Sequence, residues 1–376
     1  MSTNTNRLDL AVAVLALDEQ DTIAATIEQA KRIADGVYVL DCGSRDATAE
    51  IAEQLGATVV STNWPFSFAA ARNTLLAEIP LEYRYVLWLN AGETFGHETE
   101  SLLSQFLKAE AEPDKAYSIM VEVPPVVPDG TPEQVLQLRL FPHRPGIRFV
   151  GRVGETATAS LRQLGIKQDM APGRIVCHPR RHTAVWKARR AQRNLHLATL
   201  ESPDPKNRPA RIWRIMGEAL CDLGHTAAAC EAFREAISSA EKGSTEQLEA
   251  YYGLLATMDS DPNLHGRRIA ACLEALDVFP LDAQLLCLMG KYLQNADRID
   301  LAVRSYELAV TYGQVDLETW HLQEIAELAS VCWALALQLS GEHDKAEAVY
   351  RDALERFPNS QRVRRRAAEH FIKQGR

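Results

Sequence analysis

Carboxylates stand at three places where an α/β sheet would present them to a ligand. Asp18 and Glu19 follow the apolar run Leu10–Leu17. Asp41 closes the run Val37–Leu40, ahead of Cys42-Gly43-Ser44. Glu93 follows Asn90-Ala91-Gly92 after the run Tyr85–Leu89. Carboxylates so placed can accept hydrogen bonds from ribose hydroxyls or from a base N–H, and Gly43 permits a tight turn beside them. Ser44 and Asp46 are at least as well suited to cap the helix that begins there. Farther on lie Arg72-Asn73, Glu155 in the run Gly151–Glu155, and His178 in the run Arg174–Pro179. A carboxylate such as Glu155 can take the proton of an attacking hydroxyl. A lone Arg or His is, by residue type alone, an ordinary surface or structural residue.

The elements that must position these residues have two periods. Leu10–Leu17 is a nearly continuous apolar run, the pattern of a strand buried on both faces. Helical spacing over Thr22–Ile33, Asp46–Leu55 and Phe68–Ile79 alternates with short strands at Val37–Leu40, Ala57–Val60 and Tyr85–Leu89. That alternation predicts an α/β domain with a largely parallel sheet, whose ligands bind outside the carboxyl ends of the strands. Trp64, Phe66 and Trp88 read as core residues ahead of the alternative, platforms on which a sugar stacks.

Past about residue 209 the strand pattern stops and a motif recurs. Met216-Gly217, Leu220, Gly224, Ala229, Phe233 and Ala236 align with Met289-Gly290, Leu293, Ala302, Tyr306 and Ala309. They align again with Leu337, Gly341, Ala346, Tyr350, Ala353 and Pro358, and a weaker copy ends at Ala275 and Pro280. Small residues let two helices approach, and the aromatic fills the gap to the next unit. The pattern is that of tetratricopeptide repeats, with a nominal period of about 34 residues. Between the halves, Gly173–Arg214 is rich in Arg and Lys, with helical spacing over Val185–Leu200. Two readings stay open for it: a solvated connecting helix, or a basic wall beside a diphosphate or acidic acceptor. The expected boundaries are 1–183 for the α/β domain, 184–208 for a basic helical linker and 209–376 for the repeats.

Composition bounds the function. With 376 residues the chain is long enough for two domains, and a formal net charge of -9 gives no case for nucleic acid or an anionic membrane. No apolar run reaches the roughly 18 residues of a membrane span, and the polar start MSTNTNRLDL lacks a signal-peptide pattern. The seven cysteines form no C-x-x-C pair and mostly sit in helical apolar patterns. They read as small buried hydrophobes, and the expected location is the cytoplasm.

Several segments, in order and spacing, resemble family-2 glycosyltransferases of the GT-A type. The bacterial subgroup with tetratricopeptide repeats behind the catalytic domain is the most similar. The segments are LALDEQDTI (15–23), VLDCGSRDAT (39–48), FSFAAARN (66–73), VLWLNAGE (86–93), FVGRVGE (149–155) and RIVCHP (174–179). The resemblance implies a GT-A-like nucleotide-sugar-binding α/β domain followed by an all-α repeat domain. It implies transfer of a sugar, with inversion, from a nucleotide-sugar donor to a protein, peptide or glycan acceptor that the repeats could help to bind. It carries donor binding to Asp18, Glu19, Asp41, Gly43, Ser44, Arg72, Asn90 and Gly92. Glu155 matches the acid of the family's G-R-I-H-E segment and is the expected general base.

Two departures bear on mechanism. The family's D-x-D carboxylates, which hold Mg²⁺ or Mn²⁺ against the donor diphosphate, are replaced by Asn90-Ala91-Gly92. Glu93 and His178 remain as candidate metal ligands, Arg180-Arg181 stands where the family has Gly-Tyr, and Gly154 stands in place of the family His. A hard cation loses most of its affinity without carboxylates. Metal dependence is therefore expected to be weak or absent, with basic residues of 173–214 meeting the departing diphosphate. Two other readings are a Rossmann-like enzyme, for which the single Gly43 is too few glycines, and a catalytically degenerate domain in which the repeats act as a binding scaffold.

Overall fold

A computed structural model describes residues 8–125, 131–179 and 183–375. The chain divides after Arg208 into two compact units.

In the first unit, β1 (Leu10–Ala16), β2 (Gly36–Asp41), β3 (Thr58–Ser61) and β4 (Tyr85–Asn90) are parallel, in the order β3-β2-β1-β4. They are joined through α1 (Ile23–Ala30), α2 (Thr48–Gln54) and α3 (Phe68–Glu78). The sequence expectation of a largely parallel sheet covers this half. The rest of the unit adds β5 (Thr94–Phe95), α4 (Thr99–Ala109), β6 (Lys115–Val123), β7 (Glu133–Pro142), α5 (Thr158–Gln163), β8 (Lys167–Val176) and α6 (Ala184–Glu201). Here β7 runs antiparallel to β4, β6 antiparallel to β7, β8 parallel to β6 and β5 antiparallel to β8, so the full order is β3-β2-β1-β4-β7-β6-β8-β5.

Burial explains the two halves. β1 is buried on both faces from Leu10 to Val14, as a central parallel strand must be. β6 alternates buried and partly exposed residues, the pattern of a strand with one wet face. The chain order runs outward from β1 to β3 and then returns to the other side of β1 at β4. That reversal opens a crevice at the carboxyl ends of β1 and β4. One core packs Trp88, Phe141, Phe149, Leu75 and Leu161 beneath it.

The second unit is helical. Its hairpins pair α7 (Ala210–Asp222) with α8 (Thr226–Ser239), α9 (Thr245–Ser260) with α10 (Arg268–Val278), α11 (Ala283–Asn295) with α12 (Ile299–Tyr312), and α13 (Ile325–Leu339) with α14 (His343–Arg356). α15 (Gln361–Lys373) packs on the last pair. The small and aromatic positions of the repeated motif meet as the spacing requires. A Cβ added at Gly217 would lie 2.9 Å from the Phe233 ring, and one at Gly290 would lie 2.6 Å from the Tyr306 ring. A Cβ added at Gly253 would also meet the Phe233 ring. Each ring thus lies flush against a glycine backbone, and Tyr350 is likewise fully buried among Ala334, Leu337 and Ala346.

Gly290→Ala should therefore destabilise the helical unit by about 1–3 kcal/mol, the usual scale of overpacking. Gly266→Ala, at a position with open space around it, should change stability little. Urea melts of the full chain followed by far-UV circular dichroism check the pair, and equal midpoints for the two variants would contradict this packing account.

Candidate functional site

A cavity of about 630 Å³ lies in the first unit at the crevice between β1 and β4. Its walls come from the end of β1 (Leu15 to Leu17 and Glu19), the turn Asn90 to Glu93, Phe68 and Arg72 of α3, the run Val153 to Ala157, and Trp186, Arg190, Arg193 and Asn194 of α6.

The loops after β1 and β2 hold each other. Asp18 N donates to Ser44 Oγ at 2.9 Å, and Arg45 N donates to Asp18 Oδ1 at 2.8 Å. Glu19 N donates to Thr48 Oγ1 at 2.7 Å, and Gln20 N to Asp46 Oδ2 at 3.2 Å. Asp41 is buried and accepts from Ser44 N, which closes the turn at Gly43, where φ is +89°. Of the two capping candidates, Asp46 accepts from Thr48 N at the first residue of α2, while Ser44 turns to Asp18 instead. Asp18, Asp41, Gly43 and Ser44 thus form a fixed shelf at the strand ends. Glu19, Arg72, Asn90, Gly92, Glu93, Glu155 and His178 line the cavity itself.

The turn after β4 is built on a buried ion pair. Glu93 and Arg139 of β7 have side chains 5% and 7% exposed, with Arg139 Nη2 2.8 Å from Glu93 Oε1 and Nη1 3.0 Å from Oε2. Asn90 N donates to Oε2 and Asn90 Nδ2 to Oε1, each at 2.8 Å. Both oxygens of Glu93 therefore already accept two donors. Burial alone pushes this carboxyl up. Arg139 beside it and the Asn90 N–H groups outweigh that effect and hold it below the usual carboxylate range. Thr26 of α1 completes the turn, accepting from Gly92 N and donating to Glu93 O, both at 2.9 Å.

This donor set does not fit a divalent cation. Asn90 offers an uncharged amide, Gly92 offers no side chain, and the lone pairs of Glu93 are committed to Arg139 and Asn90. Among the described residues, no cluster of three or more His, Cys, Asp or Glu side chains is disposed to hold a metal. His178 reaches the rim beside Gly92, whose added Cβ would meet His178 Cβ at 3.3 Å. The expectation placed on Arg180-Arg181 lies outside the described residues.

Glu155 does not stand alone. Arg72 Nε donates to Glu155 Oε1 at 2.6 Å, with both side chains mostly buried. The Arg72 guanidinium lies 4.7 Å from the Trp88 ring and 5.5 Å from the Phe149 ring. Asn73 beside it donates to Phe149 O and accepts from Phe149 N, each at 2.9 Å, which ties α3 to the segment that carries Glu155. Asn73 is thus a structural brace at the cavity.

Four residues that sequence reasoning did not single out complete the walls. Arg139 sits alone in the apolar alternation of β7, a signal that was available. Trp186, Arg190 and Arg193 fall within the basic stretch for which a connecting helix and a cavity wall both stayed open. Trp186, Arg190, Arg193 and Leu197 repeat at helical spacing on one face of α6, and Thr183 caps that helix by accepting from Trp186 N at 3.3 Å. α6 lies wholly within the first unit, and the last residues of the basic stretch, from Pro209, belong to the second. Phe66, expected in the core, is instead 51% exposed with φ +51°, an uncommon backbone state for a bulky residue. Its carbonyl accepts from Arg152 Nη1 at 3.0 Å.

Comparison with known proteins agrees with the two-part architecture. Residues 11–121 match the sequence model of glycosyl transferase family 2, and residues 329–370 match that of a tetratricopeptide repeat. A TPR repeat-containing protein of Synechococcus elongatus is 31% identical over 188 residues, which are 49% of this chain and 44% of that protein, so the chain spans under half of its relative's length. Among solved structures, MamA is 17% identical, with 46% of this chain and 92% of that chain covered and a TM-score of 0.35. Glucosyl-3-phosphoglycerate synthase from Mycobacterium tuberculosis, solved with Mn²⁺, UDP and glucosyl-3-phosphoglycerate, is 23% identical. It covers 30% of this chain and 43% of that chain, with a TM-score of 0.25. The first unit is a family-2-like α/β domain and the second an all-helical region of tetratricopeptide type. No helix among the described residues is long and apolar enough to cross a membrane.

The Glu93–Arg139 pair gives a pH-dependent expectation. The folded pKa of Glu93 lies below its unfolded value, so the pair's stabilisation is complete above the unfolded pKa, about 4.3. It is lost as pH falls through the folded value. Glu93→Gln should remove this acid dependence while destabilising the unit at pH 7 by about 3–5 kcal/mol, because Arg139 is left buried and unpaired. Amide exchange in β4 and β7 between pH 3 and 7 measures both effects, and a wild-type-like profile in the variant would contradict the assignment.

Proposed function

We propose that the first unit transfers a sugar from a nucleotide-sugar donor to an acceptor hydroxyl, with inversion, and that Glu155 is the general base. The observation that carries this reading is the Arg72-held Glu155 carboxylate on the wall of a cavity at the β1–β4 crevice. The nucleotide lies over the shelf of Asp18, Asp41, Gly43 and Ser44, with Glu19 toward the ribose. The sugar projects past Asn90 and Gly92 toward Glu155.

In the reaction, the acceptor oxygen forms a bond to the anomeric carbon. The bond from that carbon to the diphosphate oxygen breaks, and its electron pair leaves with the diphosphate. The acceptor's proton passes to Glu155. Arg72 engages Oε1 and is a positioning residue, which leaves Oε2 to receive that proton. The repeats supply a surface for a protein, peptide or glycan acceptor, since stacked hairpins extend a binding face by contacts between neighbours.

A second reading, binding without turnover, is favoured by one observation: the missing carboxylates at positions 90 and 92. Titration and turnover assays with a panel of UDP-, GDP- and TDP-sugars separate the two. The transferase reading expects Glu155→Gln to bind the donor as wild type does and to turn over roughly 10²–10⁴-fold more slowly, the scale of a lost general base. Equal turnover in the two proteins would remove Glu155 from the role. Donor binding with no turnover in either, across the acceptor panel, would favour the scaffold.

A further inference from the structure

We infer that Asn90 and Gln137 bind hydroxyl groups of the donor's sugar, Asn90 as hydrogen-bond acceptor and Gln137 as donor, each turned to that role by the Glu93–Arg139 pair. This rests on the nucleotide-sugar reading of the same cavity and makes the sugar a hydroxyl-bearing one held through those hydroxyls.

An amide side chain can face either way, and here charge decides. Arg139 Nη2 lies 2.9 Å and Nε 3.2 Å from the amide of Gln137. A guanidinium has N–H donors and no acceptor, so the atom it meets is the carbonyl Oε1. Nε2, with both of its N–H groups, is turned away from Arg139. Asn90 is set in the opposite sense. Its amide meets Glu93 Oε1 at 2.8 Å, and Arg139 keeps that carboxyl ionised. A carboxylate only accepts, so the contact is made by Nδ2, and Oδ1 is turned away from Glu93.

Both amides end one chain of contacts. Asn90 Nδ2 and Arg139 Nη2 meet on Glu93 Oε1, and Arg139 Nη2 also reaches Gln137 Oε1. The other donors of Arg139 go to Trp88 O and Glu93 Oε2, so its charge is fully engaged. The pair at the base is buried, whereas Asn90 is exposed, Gln137 is half-buried, and both line the cavity. Among the described residues, no group bonds to Asn90 Oδ1 or to Gln137 Nε2. One accepting and one donating group thus stand on the cavity wall over a fixed, charged base.

That combination suits a sugar. A hydroxyl both donates and accepts, so it can give its proton to Asn90 Oδ1 and take one from Gln137 Nε2. Arg139 polarises the Gln137 amide toward Oε1 and makes its N–H groups better donors. Glu93 pulls on the Nδ2 proton of Asn90 and makes Oδ1 a better acceptor. The same network accounts for an amide at position 90. An aspartate there would set a second carboxylate against Glu93 Oε1, and the one charge of Arg139 is already matched by Glu93.

The test is calorimetric titration of the full chain with UDP-glucose, UDP-galactose, GDP-mannose and TDP-glucose, each against its free nucleoside diphosphate, in EDTA and in Mn²⁺. At least one sugar nucleotide should bind more tightly than its free diphosphate. Gln137→Glu keeps an oxygen for Arg139 and removes the N–H groups that face the cavity. Asn90→Ala removes the carbonyl, while the backbone N–H of position 90 still serves Glu93. Each should weaken that sugar nucleotide roughly 3- to 10-fold more than it weakens the free diphosphate, the scale of one lost hydrogen bond. In the wild-type chain, removing the hydroxyls of that sugar one at a time should cost as much at one position at least, a readout that needs no variant to fold. Equal weakening of sugar nucleotide and free diphosphate, or none, would overturn the amide pair and leave the transferase reading standing. So would a sugar that adds no affinity, or deoxy sugars that all bind as the parent does. No binding of any of these ligands under either condition would overturn both.

Discussion

The seam of the first unit's sheet depends on the buried ion pair between Glu93 and Arg139. β4 belongs to the parallel half and β7 to the mixed extension, and their antiparallel ladder pairs Tyr85, Val86 and Leu87 with Pro142, Phe141 and Leu140. Beyond Leu87 the side chain of Arg139 takes over, donating to Trp88 O and clamping Glu93. One pair thereby joins the two halves, fixes the turn that floors the cavity, and occupies the carboxylate nearest to the missing D-x-D motif. A buried pair of this kind need not raise stability over an apolar alternative, but removing one partner strands a charge. The electrostatics of the cavity follow from that commitment.

Around the pair, most polar groups at the strand ends are engaged with one another. Asp18 and Ser44, Asp41 and Ser44, and Arg72 and Glu155 each close a local contact. Such self-satisfied loops hold a ligand site in shape before anything binds, which is the condition for electrostatic stabilisation without reorganisation. On α6, Arg190 stacks on the Trp186 ring of the same helix and Arg193 on the Phe68 ring of α3, which ties that helix to the cavity wall.

Much of the fold was legible because burial writes itself into local pattern. The continuous run at Leu10 marks a strand covered on both faces, and Gly217, Gly290, Phe233 and Tyr306 announce helices packed ring against glycine. Other features required partners distant in sequence. The engagement of Glu93 is set by Arg139, 46 residues away on a strand running the other way. The strands β6 to β8, with β7 running against both β4 and β6, escaped a reading built on alternation of strand and helix. The basic stretch before residue 208 left two readings open, because the ring faces beneath Arg190 and Arg193 come from Trp186 on the same helix and Phe68 on α3. Phe66 was misplaced because an apolar residue type says nothing about a backbone held at positive φ.

The central claim, that the β1–β4 crevice of the first unit is a nucleotide-sugar site, is tested most directly by hydrogen–deuterium exchange of the full chain with and without saturating nucleotide sugar. Exchange should slow together in three segments: the loops after β1 and β2, the turn 90–93, and the first half of α6. Protection confined to the helical unit, or absent from these three segments with a sugar nucleotide shown to be bound, would contradict it.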